Sequence, residues 1–191
     1  MQRFIPTQPS SIGKEDKMYT VHDVKKAVKG NKKAFEKIIQ TEKNRLYRIA
    51  FLYVKNENDA VDIVQDTTYK ALISIGSIRD INQISAWLKR ITINCAIDFL
   101  RREKKIVPIE NGDVGITEER KVHSEEKLDL YQLLDYLNER DKSVIILKYY
   151  EDLTNREIAE ILNCPEGTIK SSLHRSLKLL KGKIEEDYMN G

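Results

Sequence analysis

The sequence predicts an all-α fold of two small helical domains joined by a flexible acidic linker, with a helix-turn-helix in the C-terminal domain. Three observations predict this fold class. The 191 residues include only 8 glycines and 4 prolines, too few turn residues for a many-stranded sandwich or barrel. Apolar residues recur at intervals of three and four over most of the chain, which is typical of helices. Between the periodic stretches lies a charged segment without an apolar face, and such a segment is expected to be extended.

Composition excludes several classes of protein. Charged residues make up 33% of the chain and hydrophobic residues 40%, which argues against a disordered acidic tail and against a membrane protein. The longest uncharged apolar stretch, residues 49–54, is too short to cross a bilayer, and no signal-peptide pattern opens the chain. Cys95 and Cys164 lack the spacing of a disulfide framework or a zinc site. We therefore expect a cytoplasmic protein without a metal or other cofactor.

The first domain is predicted over residues 20–105, after a flexible N-terminal extension of residues 1–19 that shows no periodicity. Thr20 can cap a short helix that ends at Gly30, and Asn31 can cap a longer helix that runs to about Lys55. The last turn of the longer helix is apolar all round, so we expect it to be buried on most sides.

A third helix is predicted to begin at Asn58 as its cap and to run to about Ile75. Its expected inner face comprises apolar or small residues at helical spacing: Ala60, Val61, Val64, Thr68, Ala71, Leu72 and Ile75. The opposite face carries three carboxylates, Asp59, Asp62 and Asp66, spaced three and four residues apart. Paired carboxylates can serve acid–base chemistry or a metal, but no nucleophile, histidine ligand or phosphate-binding loop accompanies them. We therefore predict a solvated or protein-docking surface and no enzyme, with a metal-dependent nuclease as the alternative.

A loop over residues 76–83 precedes a fourth helix, predicted over residues 84–103. One stripe of this helix is apolar, whereas a second stripe carries Trp87, Arg90, Asn94 and Arg101. An aromatic and basic face can stack on an unpaired base and hold the strand's phosphates. The alternative is that Trp87 packs in the core, and the sequence alone favours that alternative.

The acidic linker is predicted over residues 106–124 and the second domain over residues 125–191. Within that domain, Thr154 and Glu157 form a capping-box pattern before a two-turn helix. Asn163 suits a left-handed turn, and Pro165 then precedes a helix over residues 166–183. Two helices joined so closely form a helix-turn-helix, which places the second helix in a major groove. The alternative is a plain helical hairpin.

Cations cluster on both sides of the acidic linker. Residues 89–105 and residues 166–183 are strongly basic, although the net charge of the chain is only +3. Two basic patches divided by an acidic segment suggest two separate contacts with a polyanion, whereas a solvated helix face is the alternative for either patch alone. The outward-facing polar residues of the last helix are Thr168, Lys170, Ser171, His174, Arg175 and Lys178.

In three stretches, and in their order along the chain, the sequence resembles the extracytoplasmic-function (ECF) group of bacterial sigma factors. These stretches are NDAVDIVQDT at residues 58–67, AWLKRI at 86–91 continuing through Asn94 to DFLRR at 98–102, and PEGTIKS at 165–171 with LHR at 173–175. The resemblance covers residues 21–184. It implies a subunit that binds core RNA polymerase, places it at promoter DNA, helps to open the duplex and leaves after initiation.

The resemblance also assigns roles to residues. It implies that an acidic surface of Asp59, Asp62, Gln65 and Asp66 docks on core polymerase. It implies that the loop 76–83 and the fourth helix hold a flipped-out base of the minus-ten element, with contacts from Trp87, Arg90, Asn94, Arg101 and Arg102. The last helix would read the minus-thirty-five element as duplex. No small-molecule substrate is implied.

Regulation is a further implication. Members of the group commonly serve stress or envelope responses and are held inactive by an anti-sigma factor, often a membrane-anchored one. Many relatives carry an arginine where this chain has Ser172, so we expect one phosphate or base contact to be absent. The competing hypothesis is a homodimeric helix-turn-helix regulator that binds a palindromic operator, but it leaves Asn94 and the fourth helix without a function.

Overall fold

The structure is a computed structural model, and it describes residues 19–106 and 130–190. Within these ranges the chain is helical and contains no β-strand. The helices are α1 (Val21–Val28), α2 (Lys32–Val54), α3 (Glu57–Ser74), α4 (Ile84–Ile106), α5 (Leu130–Leu133), α6 (Glu139–Ile145), α7 (Asn155–Leu162) and α8 (Glu166–Asn190). The all-α prediction is therefore confirmed. Ile106, the first residue of the predicted linker, is the last residue of α4, whereas the rest of that linker and all of the N-terminal extension except Tyr19 lie outside the described residues.

The ends of α1 and α2 follow the predicted capping chemistry. The Thr20 hydroxyl accepts a hydrogen bond from the Asp23 amide, and the Asp23 carboxylate accepts one from the Thr20 amide. The Asn31 side chain accepts from the Ala34 amide at 2.9 Å and starts α2. Lys55 ends α2 in the left-handed conformation, at φ 55°.

Helix α3 differs from the prediction in its cap and its buried face. Asn56, not Asn58, accepts from the first free amides, those of residues 58 and 59. The buried positions are Ala60, Ile63, Thr67 and Ala71, whereas Val61 and Leu72 are exposed. Thr67 is not included in the predicted inner face, and it can be buried because its hydroxyl donates to the Ile63 carbonyl, which satisfies the polar group.

One apolar core lies wholly in the first domain. It is formed by α1, the first two-thirds of α2, the end of α3 and the start of α4, and it includes Ile38, Leu46, Ile84 and Leu88. Tyr19 belongs to this core, and its hydroxyl donates to the buried Glu42 carboxylate at 2.6 Å. Packing of the first domain therefore includes Tyr19, one residue before the predicted boundary at Thr20.

A second apolar core joins the two predicted domains. It combines the last turns of α2 and the middle of α4 with buried residues of α6, α7 and α8. Among its members are Ile49, Ile93 and Ala96 from the first domain and Leu147 and Ile158 from the second. The domains thus pack directly against each other, a relationship that the sequence pattern does not predict.

The second domain has the predicted helix-turn-helix. Thr154 and Glu157 form the capping box of α7, and Asn163 turns the chain at φ 51° before α8. Helix α8 runs to Asn190 rather than ending at Lys183. Within residues 19–106 and 130–190, no helix is both long and apolar enough to cross a membrane.

Candidate nucleic-acid and polymerase interfaces

The acidic face is the surface of α3 that carries Asp59, Asp62, Gln65 and Asp66. Asp59 is half-buried, and the other three side chains are exposed. The face is held in place because the opposite side of α3 packs on α2 and α4. Beside it runs a shallow groove with an apolar floor, whose lining is Lys43, Asn44, Tyr47, Val61, Val64 and Gln65. The contribution of α2 to this groove was missed in the sequence, because it depends on how α2 crosses α3.

The α4 basic face comprises Trp87, Arg90, Asn94, Arg101 and Arg102. Arg90, Asn94, Arg101 and Arg102 are exposed, whereas Trp87 is half-buried and packs against the first core. The core-packing interpretation of Trp87 therefore holds for part of its ring, and the rest remains accessible. Asn94 lies between the cations, where an amide can donate to and accept from a base edge.

Two of these arginines pair with carboxylates. The Arg101 guanidinium makes two hydrogen bonds to Glu139 of the second domain, at 3.1 and 2.6 Å, and this pairing raises the pKa of Arg101 above its usual value. The Arg102 guanidinium lies 3.7 Å from Asp66 of the acidic face. The acidic face and the α4 basic face are therefore neighbours on one three-helix unit.

The loop before α4 is ordered into two short 3-10 turns, Ile75–Ser77 and Ile81–Gln83. The Asp80 carboxylate accepts from the Asn82 amide at 2.9 Å and caps the second turn. A loop fixed in this way can form one wall of a pocket beside α4.

Lys89 does not contribute to the basic patch in this arrangement. Its side chain is 7% exposed, and its ammonium lies 2.7 Å from the carboxylate of Glu151. The residue follows Leu88 on the buried side of α4, so its helical position explains why composition alone misplaced it.

The recognition face is the outer surface of α8. Lys170, Ser171, His174, Arg175 and Lys178 are exposed, and Thr168 is half-buried at the start of the helix. Beneath them, α7 packs on α8, and the small side chain of Ala159 on α7 is buried. The Lys170 ammonium lies 3.1 Å from Glu166 one turn earlier, an exposed pair that a phosphate can displace.

The spacing of apolar residues in α8 predicts an inner face of Ile169, Leu173, Leu177 and Leu180, and the structure differs from it. Ile169 is fully buried as expected, but Leu177 is 44% exposed, and Ser172 and Ser176 are buried. Ser172 is fully buried, because positions 169, 172 and 176 share the inward side of the helix, and the expectation that a DNA contact is absent at this position stays a prediction. Its side chain points away from the recognition face.

The described residues hold no cluster of three or more histidine, cysteine or acidic side chains arranged to bind a metal ion. The two basic surfaces are not combined into one site. One lies on the first domain and the other on the second.

Two protein-family models match the chain, one in each domain. Family models described as sigma-70 region 2 and sigma-70 region 4 match residues 38–106 and 127–180. The RNA polymerase sigma factor SigV of Bacillus subtilis is 40% identical over 149 residues, which cover 78% of this chain and 90% of that protein. The ECF sigma factor SigW of the same organism is 31% identical over 179 residues, covering 85% and 95%.

Solved structures share the fold. CnrH in complex with the cytosolic domain of CnrY aligns at a TM-score of 0.65 with 21% identity, over 87% of this chain and 97% of that chain. The sigma factor RpoE of Bartonella quintana, in complex with the anti-sigma factor NepR, aligns at a TM-score of 0.62 with 25% identity, over 81% and 99%.

Proposed function

The chain belongs to the extracytoplasmic-function sigma factors, which bind core RNA polymerase and direct it to promoters, and from this premise we propose which surfaces carry out each step. The observation that carries the proposal is the adjacency of the acidic face and the α4 basic face. A subunit that holds polymerase beside a melted strand needs both surfaces on one rigid unit, and the Arg102–Asp66 distance of 3.7 Å shows how close they are.

The acidic face and its groove are the proposed docking site for core polymerase. The exposed carboxylates of Asp62 and Asp66 can pair with cations of a partner, and the neighbouring Val61 and Tyr47 offer apolar contact. Charged groups around an apolar centre are the usual composition of a specific protein interface. This assignment also gives the carboxylates a function that requires no catalysis by this chain.

The α4 basic face and the loop 76–83 are the proposed site for the minus-ten element. Flipping a base out of the stack costs a few kcal/mol, so the protein must supply a pocket for the base and cations for the strand. Asn94 can bond the edge of the expelled base, the exposed part of Trp87 can stack on a base, and Arg90, Arg101 and Arg102 can bind phosphates.

The recognition face of α8 is the proposed reader of the minus-thirty-five element. Its exposed lysines and arginine can donate to phosphates or guanine edges, and Ser171 and Thr168 suit phosphates or either base type. Polymerase binding links the two DNA contacts, so each raises the effective concentration of the other.

An anti-sigma factor is the proposed regulator. The Bartonella quintana relative was solved with such a partner, which supports a similar partner here. We propose that it covers the DNA-facing surfaces, that it can hold this otherwise cytoplasmic chain at the membrane if it is itself membrane-anchored, and that the promoters served belong to a stress or envelope response.

Transcription reconstituted from core polymerase, the purified chain and a genomic promoter library tests the proposal. We expect promoter-specific transcripts only when both the chain and core enzyme are present. Tight, specific binding of a palindromic DNA by the chain alone, as a dimer, would instead support the operator-binding regulator.

A further inference from the structure

A third basic surface lies outside the two basic surfaces described above. It is the α1–α2 lysine patch, formed by α1 and the first turn of α2: Lys25, Lys26, Lys29, Lys32 and Lys33. All five residues are exposed. Residues 22–37 carry six lysines against two acidic residues, so this one segment has a net charge of +4 in a chain whose net charge is +3. The family model for region 2 begins at residue 38 and assigns no role to the patch.

The patch is presented by a fixed helical hairpin. Val24 and Ala27 bury one side of α1 in the first core, and the lysines of α1 lie away from that side. Gly30 turns the chain at φ 89°, a left-handed conformation that a side chain would strain, and α2 begins two residues later. The ion pair of Lys37 with Asp23, at 2.9 Å, then ties the start of α2 to α1. The backbone that carries the five lysines is therefore held in place on both sides of the turn.

The lysines of the patch lack carboxylate partners. Asp23 is occupied by Lys37 and by the Thr20 amide. Among residues 19–106 and 130–190, none of the five lysines forms an ion pair, although the exposed Glu36 lies only one turn further along α2. Like charges that are held together without counterions repel one another. A bound polyanion would relieve that repulsion.

The start of α2 also favours an anion. The N-terminus of a helix carries a partial positive charge, which acidic side chains stabilise. The first turns of α1, α3, α6, α7 and α8 each contain an acidic residue, and that of α4 is uncharged. The first turn of α2 instead carries Lys32 and Lys33 and contains no acidic residue. These two lysines add to the positive end of the helix, which is an arrangement that costs stability unless an anion is bound there.

The patch adjoins the proposed minus-ten site. Helix α1 packs on both 3-10 turns of the loop 76–83, and the second of these turns also contacts α4. The half-buried Trp87 belongs to the same core as Val24 and Ala27 of α1. Arg79 is exposed in the loop itself and adds a cation between the two surfaces. A strand that leaves the α4 basic face across this loop therefore meets the patch next.

The connection between the domains gives the direction of that strand. Helix α4 ends at Ile106, from where the chain continues to the domain that carries the proposed reader of the minus-thirty-five element. That element lies upstream, so the loop end of α4 and the patch face downstream. The rise from Ile84 to Asn94 is about 15 Å, and the diameter of α1 adds about 10 Å. The sum of about 25 Å corresponds to about seven stacked nucleotides.

Lysine chemistry indicates what the patch binds. An ammonium group binds phosphate as a point charge and lacks the planar fork with which arginine reads a base edge. The patch consists of lysines alone, whereas the α4 basic face combines arginines with Trp87 and Asn94. Contact with the sugar-phosphate backbone, without sequence preference, is therefore expected. Core polymerase fits the patch less well, because the acidic face on the same domain requires a cationic partner surface.

We propose that the α1–α2 lysine patch binds phosphates of the melted strand downstream of the minus-ten element. The patch thereby holds the strand after it leaves the pocket for the expelled base. The proposal rests on the proposed function, because that function supplies the melted strand and its direction. The contact is independent of sequence and is weakened by salt.

Two forked promoter probes, bound by core polymerase together with the chain, test the contact. Both contain the two promoter elements, and their single strand ends about three or about twelve nucleotides beyond the expelled base, on either side of the expected distance. We expect wild type to bind the long probe more tightly than the short probe. In Lys25→Ala/Lys29→Ala, the affinity for the short probe should match wild type. The affinity for the long probe should fall by about tenfold at 0.1 M salt, and its salt slope should fall by about 1.4, the value for two single-strand phosphates.

Lys181→Ala/Lys183→Ala is the matched control. It removes two lysines near the end of α8 that pair with Glu185 and Glu186, and it is expected to bind both probes as wild type does. Thermal melts of both variants check that each remains folded. A Lys25→Ala/Lys29→Ala variant that binds the long probe as wild type does, or an equal loss in the control, would overturn the proposal. An equal loss on both probes would overturn the downstream placement.

A photo-crosslinking amino acid in place of Lys29 locates the contact directly. We expect crosslinks to the single strand about four to ten nucleotides beyond the expelled base, whereas crosslinks to the upstream duplex would overturn the direction. Vesicles of phosphatidylcholine and phosphatidylserine test a different polyanion. If Lys25→Ala/Lys29→Ala loses vesicle binding but keeps full affinity for the long probe, the patch is a membrane surface and the proposal is wrong. If wild type with core enzyme binds neither probe, the proposed function fails, whereas equal wild-type affinities for the two probes would overturn the patch alone.

Discussion

The hydroxyl of Ser172 on α8 donates a hydrogen bond to the carboxylate of Asp141 on α6, and both side chains are buried. The same carboxylate accepts from the Asn138 side-chain amide at 2.9 Å, and the Arg175 guanidinium approaches it to 3.7 Å. Ser172 thus fixes the recognition helix to the body of the second domain. Its buried hydrogen bond therefore helps to set the position of the recognition face, which lies on the opposite side of α8.

Ser172→Ala is expected to destabilise the second domain by about 1–3 kcal/mol, because it removes one partner of a buried carboxylate. Urea denaturation measures this loss. The matched control is Ser171→Ala, whose exposed hydroxyl donates only to the Thr168 carbonyl of its own helix. We expect the control to change stability by less than about 0.5 kcal/mol but to weaken minus-thirty-five binding. Equal stabilities for the two variants would contradict the assigned role of Ser172.

Asp62→Lys is expected to weaken assembly with core polymerase by at least tenfold, because a charge reversal in a complementary interface adds repulsion to the lost attraction. Competition for core enzyme against labelled wild-type chain measures the effect. Glu185→Lys makes the same charge change on an exposed residue near the end of α8. We expect it to assemble normally, and similar losses in both variants would indicate a general charge effect in place of a docking face.

Asn94→Ala is expected to reduce promoter opening by about tenfold, because the side chain lies exposed among the cations of α4, where an expelled base would need an amide partner. Fluorescence of 2-aminopurine in the minus-ten element reports the opening. Glu103→Ala alters an exposed residue on the opposite side of the same helix and should open the promoter as wild type does. Normal opening by Asn94→Ala would remove this residue from the proposed strand site.

Arg175→Ala is expected to weaken promoter binding by the holoenzyme at all sequences and to lower the salt slope by about one, the signature of one lost phosphate contact. Its present partner Asp141 is 3.7 Å away and the guanidinium is exposed, so the cost in stability should be small. Lys181→Ala removes a cation two turns further along α8, 3.6 Å from Glu185. An unchanged salt slope for Arg175→Ala, or an equal change for Lys181→Ala, would argue against the assigned face.

Local chemistry was predictable wherever neighbouring residues decide the structure. The Thr20 cap, the Thr154 capping box, the Asn31 cap and the left-handed Asn163 all depend on residues within one turn, and each is confirmed. Helix faces were harder, because a polar side chain can be buried once it finds an acceptor. Thr67 and Ser172 are both buried on hydrogen bonds that an apolar count does not include.

Contacts over long sequence separation were not predictable from the pattern. Lys89 and Glu151 are each ordinary charged residues in the sequence, and only the packing of the second domain on α2 and α4 makes them partners. The proposed site residues were found through motif resemblance and exposure on helix faces. Contacts between these residues and the other domain, such as the ion pair of Arg101 with Glu139, can be identified only from the three-dimensional arrangement.

Asp23 provides a pH test of the start of the first domain. Its carboxylate lies 2.9 Å from the Lys37 ammonium and 2.8 Å from the Thr20 amide, and these hydrogen bonds lower the pKa of Asp23 to about 2. Since the folded chain favours the charged form, this contribution to stability is complete above about pH 4 and is lost as the pH falls through about 2. The carboxyl carbon chemical shift of Asp23 should therefore titrate with a midpoint near pH 2. In Lys37→Ala the ion pair is gone, so the midpoint should move up toward the ordinary value for aspartate. The stability difference between wild type and Asp23→Asn should be present at pH 6 and disappear by about pH 2, whereas a wild-type midpoint near 4 would show that the cap does not hold the carboxylate in this way.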